Sequence, residues 1–122
     1  MECIGDMMPS MGRYGHSANL YKNSMLIFGG GCSYNVRLKT RVVMNEMWIF
    51  DFTCKEWKLL KTSGDYIEPR RNHAACIVGS NFFVFGGVNI QEKSVSSISV
   101  LQMDRNKWKN YCFKQDEAGI AF

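Results

Sequence analysis

The chain has 122 residues, of which 46% are hydrophobic, and a formal net charge of +4. That length accommodates one domain, the apolar content excludes a disordered polymer, and a mild positive charge without a clustered basic stripe gives no ground for nucleic-acid binding. No apolar run approaches the about 20 residues of a membrane-spanning helix, and the N-terminal residues carry no cationic segment followed by an apolar core, so neither a membrane partner nor a secretory leader is expected.

After a lead-in over residues 1–8, a first unit is read over 9–61, with strands at about 16–21, 25–29, 47–52 and 56–60. A second unit over 62–113 places strands at about 73–78, 82–86, 98–103 and 107–112, and residues 114–122 form a tail or the start of a further unit. Short β-rich runs bounded by Asn, Ser, Gly and Asp dictate strands, and no stretch sustains a helical period.

The two units are one pattern repeated. A shift of 57 residues superposes Arg13 on Arg70, His16 on His73, Ala18 on Ala75, Phe28 on Phe85 and Gly29–Gly30 on Gly86–Gly87 without a gap. The apolar positions between them match too: Leu20 with Ile77, Met25 with Phe82, Leu26 with Phe83, Ile27 with Val84. A self-match at fixed period identifies a repeat architecture before any single residue does. Later in each unit an apolar run closes in Asp and a Trp follows: Asp51 and Trp57, then Asp104 and Trp108. The spacing is six residues in the first unit and four in the second, which predicts a shorter second turn.

"AACIV", "MLIF" and "FFVF" are apolar at successive positions, which predicts strands covered on both faces, whereas "EWKLLK" alternates and belongs at a rim. A four-stranded antiparallel sheet stacked between similar sheets is a propeller blade, so the expected fold is all-β, a propeller segment of two blades. The ordered set of a double glycine ending the second strand (Gly29–Gly30, Gly86–Gly87), an apolar run closing in Asp51 or Asp104, and Trp57 or Trp108 opening the fourth strand resembles the kelch repeat family over about residues 9–113. Propellers have about four to eight blades. Two blades therefore imply a piece of a longer propeller, self-assembly into a ring, or a truncated product with exposed blade faces.

Blade physics accounts for the signature residues: the glycine pairs supply positive φ or close backbone approach, and the tryptophans fill the space between sheets. The two histidines occupy the same repeat position, which assigns them a structural role rather than a metal site. Gly29–Gly31 lacks the Lys-Ser/Thr and following helix of a phosphate cradle. Five scattered cysteines, with no CxxC pair, point to reduced thiols in the cytoplasm rather than to disulfides or zinc; Cys76 is expected in the core, and Cys32 in a loop. No nucleophile–base pairing emerges, so no catalytic residue, metal or cofactor is expected.

The functional signal is topological. Loops after the second and fourth strands of each blade gather at one end, collecting residues 31–46, 61–72 and 88–97. The first of these loops carries Tyr34, Arg37, Lys39 and Arg41; Tyr66, Arg70 and Arg71 lie in the next. Arg and Tyr anchor protein interfaces, and a basic loop favours an acidic peptide or acidic protein surface. The expected function is a non-catalytic scaffold or adaptor binding another protein. The kelch resemblance implies two alternatives, a part of a catalytic propeller of the epimerase or oxidase kind and a cytoskeleton-binding protein.

Overall fold

A computed structural model describes residues 13–35 and 40–112, and for residues 32–35, 40 and 41 the backbone course alone. The strands are β1 Ser17–Tyr21, β2 Ser24–Phe28, β3 Gly31–Asn35, β4 Thr40–Val43, β5 Met47–Asp51, β6 Glu56–Leu59, β7 Ser63–Gly64, β8 Ala74–Val78, β9 Asn81–Phe85, β10 Ser97–Gln102 and β11 Lys107–Cys112. The first blade is the antiparallel sheet β1-β2-β5-β6. The second is β8-β9-β10-β11, extended at its outer edge by β7, which runs parallel to β11. The architecture is an all-β propeller segment of two stacked blades. Between β2 and β5 the chain makes a separate hairpin, β3-β4, where the sequence predicts only a loop.

Pairing register corrects the predicted turn lengths. Ser24 lies opposite Asp51 and, one repeat later, Asn81 lies opposite Gln102. Gln102 rather than Asp104 therefore occupies the place of Asp51, and both outer turns have four residues, 52–55 and 103–106. Each turn ends on a residue in the left-handed region, Lys55 at φ 57° and Asn106 at φ 51°. In the first turn the Asp51 carboxylate accepts the amides of Thr53 at 2.8 Å and Cys54 at 3.4 Å, and these bonds lower its pKa. Asp104 sits inside the second turn and closes no strand.

The core lies between the blades. Successive side chains on a strand point to opposite faces, so Leu26 and Phe28 of β2 and Met47 of β5 share one face of blade one. They meet Phe82 and Val84 of β9, Leu101 of β10 and Trp108 of β11. The Phe28 ring stands 5.9 Å from Phe82 and 5.3 Å from Trp108, centre to centre. His73 joins this seam, hydrogen-bonded through Nε2 to Ser17 Oγ at 3.0 Å across the blades and edge-on to Phe28 at 5.4 Å. Burial, with the Arg70 guanidinium nearby, pushes its pKa down to about 4. His16, the equivalent residue of blade one, is exposed.

Burial along β8 departs from the sequence-based expectation. Ala74, Cys76 and Val78 are exposed, while Ala75 and Ile77 pack on the core. One face of the strand meets blade one; among the described residues, nothing covers the other. Cys76 is therefore an exposed free thiol and not a core residue.

The glycine pairs bring loop backbone against strand backbone. Gly29, Gly30, Gly86 and Gly87 all have positive φ, between 68° and 93°. A Cβ on Gly29 would lie 2.9 Å from the Arg70 carbonyl and one on Gly87 would lie 2.6 Å from that of Arg71. Gly30 N donates to Arg70 O at 2.8 Å, which stitches the end of β2 to the entry of blade two.

Candidate functional site

The loop end gathers its residues around one groove, a cavity of about 500 Å³. One wall is Tyr66, Glu68 and Pro69 from the segment that links the blades; another is Asn89, Ile90 and Gln91 from the loop after β9. Val43 of β4, Ser97 of β10, and Asn110 and Cys112 of β11 complete it. All three predicted loops thus contribute. Tyr66 is 74% exposed and Ile90 52%, so an aromatic and a branched aliphatic side chain stand at the rim over a floor of amides.

Each wall is held by its own hydrogen bonds. Asn89 accepts the amides of Gln91 at 2.9 Å and Lys93 at 3.0 Å through Oδ1, which curls the loop and lifts Ile90 to its apex. Its Nδ2 donates to Glu68 Oε2 at 2.8 Å, tying the two walls together and engaging the one charged group that the described residues bring to the lining. Opposite, Asn110 donates from Nδ2 to Tyr66 O at 2.7 Å, and its backbone amide donates to Asp65 Oδ2 at 2.9 Å.

Beneath the floor lies Arg70, fully buried. Its guanidinium donates to Ser99 Oγ at 3.3 Å and to the carbonyls of Glu68, Gly86 and Ser97 at 3.2–3.5 Å. Ser99 Oγ donates onward to Asn110 Oδ1 at 2.7 Å. A continuous chain of hydrogen bonds thus runs from the buried cation to the groove. Burial lowers the Arg70 pKa and the Glu68 carboxylate acts against that shift. Arg13, the repeat partner of Arg70, makes the corresponding bond to the Gly29 carbonyl at 3.0 Å, with Glu46 3.5 Å from its other nitrogen.

The predicted contact residues separate accordingly. Tyr66 lines the groove. Arg70 is withdrawn from any partner, because its donors are taken up by the sheet beneath. Arg71 stands apart on the same end, 3.4 Å from Glu92 and over the Tyr14 ring at 5.9 Å. Tyr34 lies on β3 and Arg41 on β4, while Arg37 and Lys39 fall outside the described residues. Asn89, Ile90 and Asn110 were not singled out from the sequence. The first two sit in a loop assigned to this end, but Asn110 is a strand residue whose role appears only once β7 and the linking segment are placed beside it.

With the blades and their loop end in place, the comparisons with known proteins identify the family. The family model described as the KLHDC2/KLHL20/DRC7 Kelch-repeats domain matches residues 4–118. The chain belongs to the kelch repeat family. Its curated relatives include tRNA wybutosine-synthesizing protein 2/3/4 of Arabidopsis thaliana, 32% identical over 80% of this chain and 9% of that protein. Kelch domain-containing protein 3 of Homo sapiens is 31% identical over 87% of the chain and 26% of its own length. Rho GTPase-activating protein gacHH of Dictyostelium discoideum is 34% identical over 89% of the chain and 7% of its own length. The kelch repeats here therefore span about a quarter or less of these relatives. The solved structure of YjhT superposes with a TM-score of 0.69 at 12% identity, covering 84% of this chain and 38% of that one, which shows the shared fold.

Proposed function

We propose that these kelch blades form a non-catalytic protein-interaction scaffold that holds a polypeptide segment of another protein in the groove between Tyr66 and Ile90. The observation that carries this reading is the rim itself: two exposed apolar side chains over amide groups, on loops fixed from below by Asn89, Asn110 and Arg70. Aromatic anchors set in a rigid surround dominate the binding energy of protein interfaces, and amide side chains suit the backbone of an extended peptide. The β3-β4 hairpin opens from the same end, and Arg37, Lys39 and Arg41 in its sequence favour an acidic stretch beside the anchoring residue. Exposed free thiols at Cys54, Cys76 and Cys112 support a reducing compartment, the cytoplasm.

The test is affinity capture with the wild-type chain, followed by titration of the partner it retains. Tyr66→Ser and Ile90→Ser each weaken that partner by at least about tenfold at an unchanged melting temperature, since anchor truncations cost about 2 kcal/mol or more. Replacing Arg37, Lys39 and Arg41 together with Ser weakens binding and reduces its salt dependence. Full affinity in the Tyr66 and Ile90 variants would refute the groove, and full affinity in the triple variant would refute the acidic partner.

A further inference from the structure

The groove does not stop at Tyr66. That residue also lines a second cavity, of about 530 Å³, between the end of β6 and the segment that links the blades. Its floor is core: Met47 of β5, Ile67 of the linking segment and Trp108 of β11, all buried. Leu59 and Leu60, both half-buried, make one wall, and residues 61–65, the strap that carries β7, make the other. The strap is fixed at both ends. Leu60 N donates to Met47 O at 2.9 Å in blade one, while Ser63 N donates to Asn106 O at 3.0 Å and Asp65 N to Trp108 O at 3.1 Å in blade two. The cavity is therefore preformed, as binding sites usually are.

Most polar groups around it are engaged inside the chain. Asn45 Nδ2 donates to Ile67 O at 2.7 Å, and the Asp65 carboxylate accepts the Asn110 amide at 2.9 Å. Glu46 accepts Trp48 Nε1 at 3.3 Å and lies 3.5 Å from Arg13. Lys61 differs. It is exposed, and among the described residues no carboxylate stands within ion-pair distance of it. What the cavity offers an occupant is an apolar lining with a cation at its margin.

On the reading that a partner's segment lies between Tyr66 and Ile90, we infer that this segment continues past Tyr66 and places a second apolar side chain in the cavity beneath the strap, with an acidic residue beside it against Lys61. Tyr66 lines both cavities and, at 74% exposed, stands as the ridge between them. An extended segment advances about 3.3 Å per residue, so it crosses a single side chain in about two or three residues. The second apolar residue therefore lies two or three positions from the first. Charge complementarity fixes register and suppresses wrong partners more than it adds affinity, so Lys61 sets which way round the segment lies.

The experiment selects random-sequence peptides displayed on phage against the immobilised chain, as wild type and as Ile90→Ser and Lys61→Glu, both at exposed positions. Wild type enriches sequences with two apolar residues two or three positions apart and an acidic residue next to one of them. Ile90→Ser relaxes the first apolar position and keeps the second. Lys61→Glu keeps both apolar positions and exchanges the acidic residue for Lys or Arg, at an unchanged melting temperature. Peptides selected on wild type bind Lys61→Glu about tenfold more weakly, as like charges now meet. A consensus with one apolar position overturns the inference and leaves the groove standing. An acidic preference that persists on Lys61→Glu overturns it as well. No enrichment on wild type removes the groove and its extension together.

Discussion

Replacing Arg70 with Met tests whether the buried guanidinium holds blade two and the groove floor together. The side chain keeps its length and loses its donors. Four hydrogen bonds disappear, at 3.2–3.5 Å, and the carbonyls of Gly86 and Ser97 each lose a donor inside the protein. A hydrogen bond to a charged group is worth about 1.5–3 kcal/mol, and these are long, so the lower figure applies to each. Against that loss stands relief of the cost of burying a cation, several kcal/mol, together with the fit of an apolar side chain in the same space. The net cost of Arg70→Met is about 2–3 kcal/mol. Arg70→Lys is worse, about 3–5 kcal/mol, because an ammonium retains the desolvation cost yet cannot span the acceptors that the planar fork reaches at once. Urea unfolding followed by far-ultraviolet circular dichroism measures both. The midpoint falls for Met and further for Lys, at a common m-value. A Met variant as stable as wild type, or a Lys variant milder than Met, would refute the reasoning.

Three further outcomes follow from the described contacts. His73 titrates at about 4 in the folded chain against 6.5 unfolded, so its contribution is fully present above pH 6.5 and is lost as pH falls toward 4, at up to about 1.4 kcal/mol per pH unit. His73→Gln flattens that part of the stability profile, and an unchanged slope would assign it to other groups. Gly64→Ala sets a Cβ 2.3 Å from the Trp108 carbonyl at φ +94°, so β7 detaches and the Ser63 and Asp65 amides lose protection from hydrogen exchange. Gly79→Ala meets open space at φ +61° and costs only the backbone strain, about 1–2 kcal/mol, read as a modest shift in melting temperature without local loss of protection.

The blades were legible because repetition reinforces weak local signals. The run 13–30 and the run 70–87 each predict strands, and agreement at 57 residues' spacing makes the reading firm. The β3-β4 hairpin escaped because "GCSYN" and "TRVV" are short, polar in part and present in only one unit. The two residues of β7 carry no period at all; their pairing with β11 depends on Gly64 fitting against the Trp108 carbonyl. The Asp landmark misled at Asp104, since the register aligns Gln102 with Asp51 and a common turn length is visible only from the pairing. "AACIV" is apolar throughout as a strand between two blades should be, but among the described residues nothing covers one of its faces. The groove was half legible: topology names the loops that form it, while the Arg70–Ser99–Asn110 chain that supports it joins residues up to 40 positions apart in sequence.

The segment around β7 also governs how this protein avoids the wrong kind of contact. The outermost strand of a sheet is a template on which any passing strand can add. On β11 that template is already occupied: Ser63 N donates to the carbonyl of Asn106, Asp65 N to that of Trp108, and the Asp65 carboxylate accepts the amide of Asn110. Two backbone groups of the perimeter strand, and one of the turn that leads into it, are satisfied from within the chain. Strand addition is therefore hindered along this margin, because an incoming strand would have to displace bonds that the chain already makes to itself.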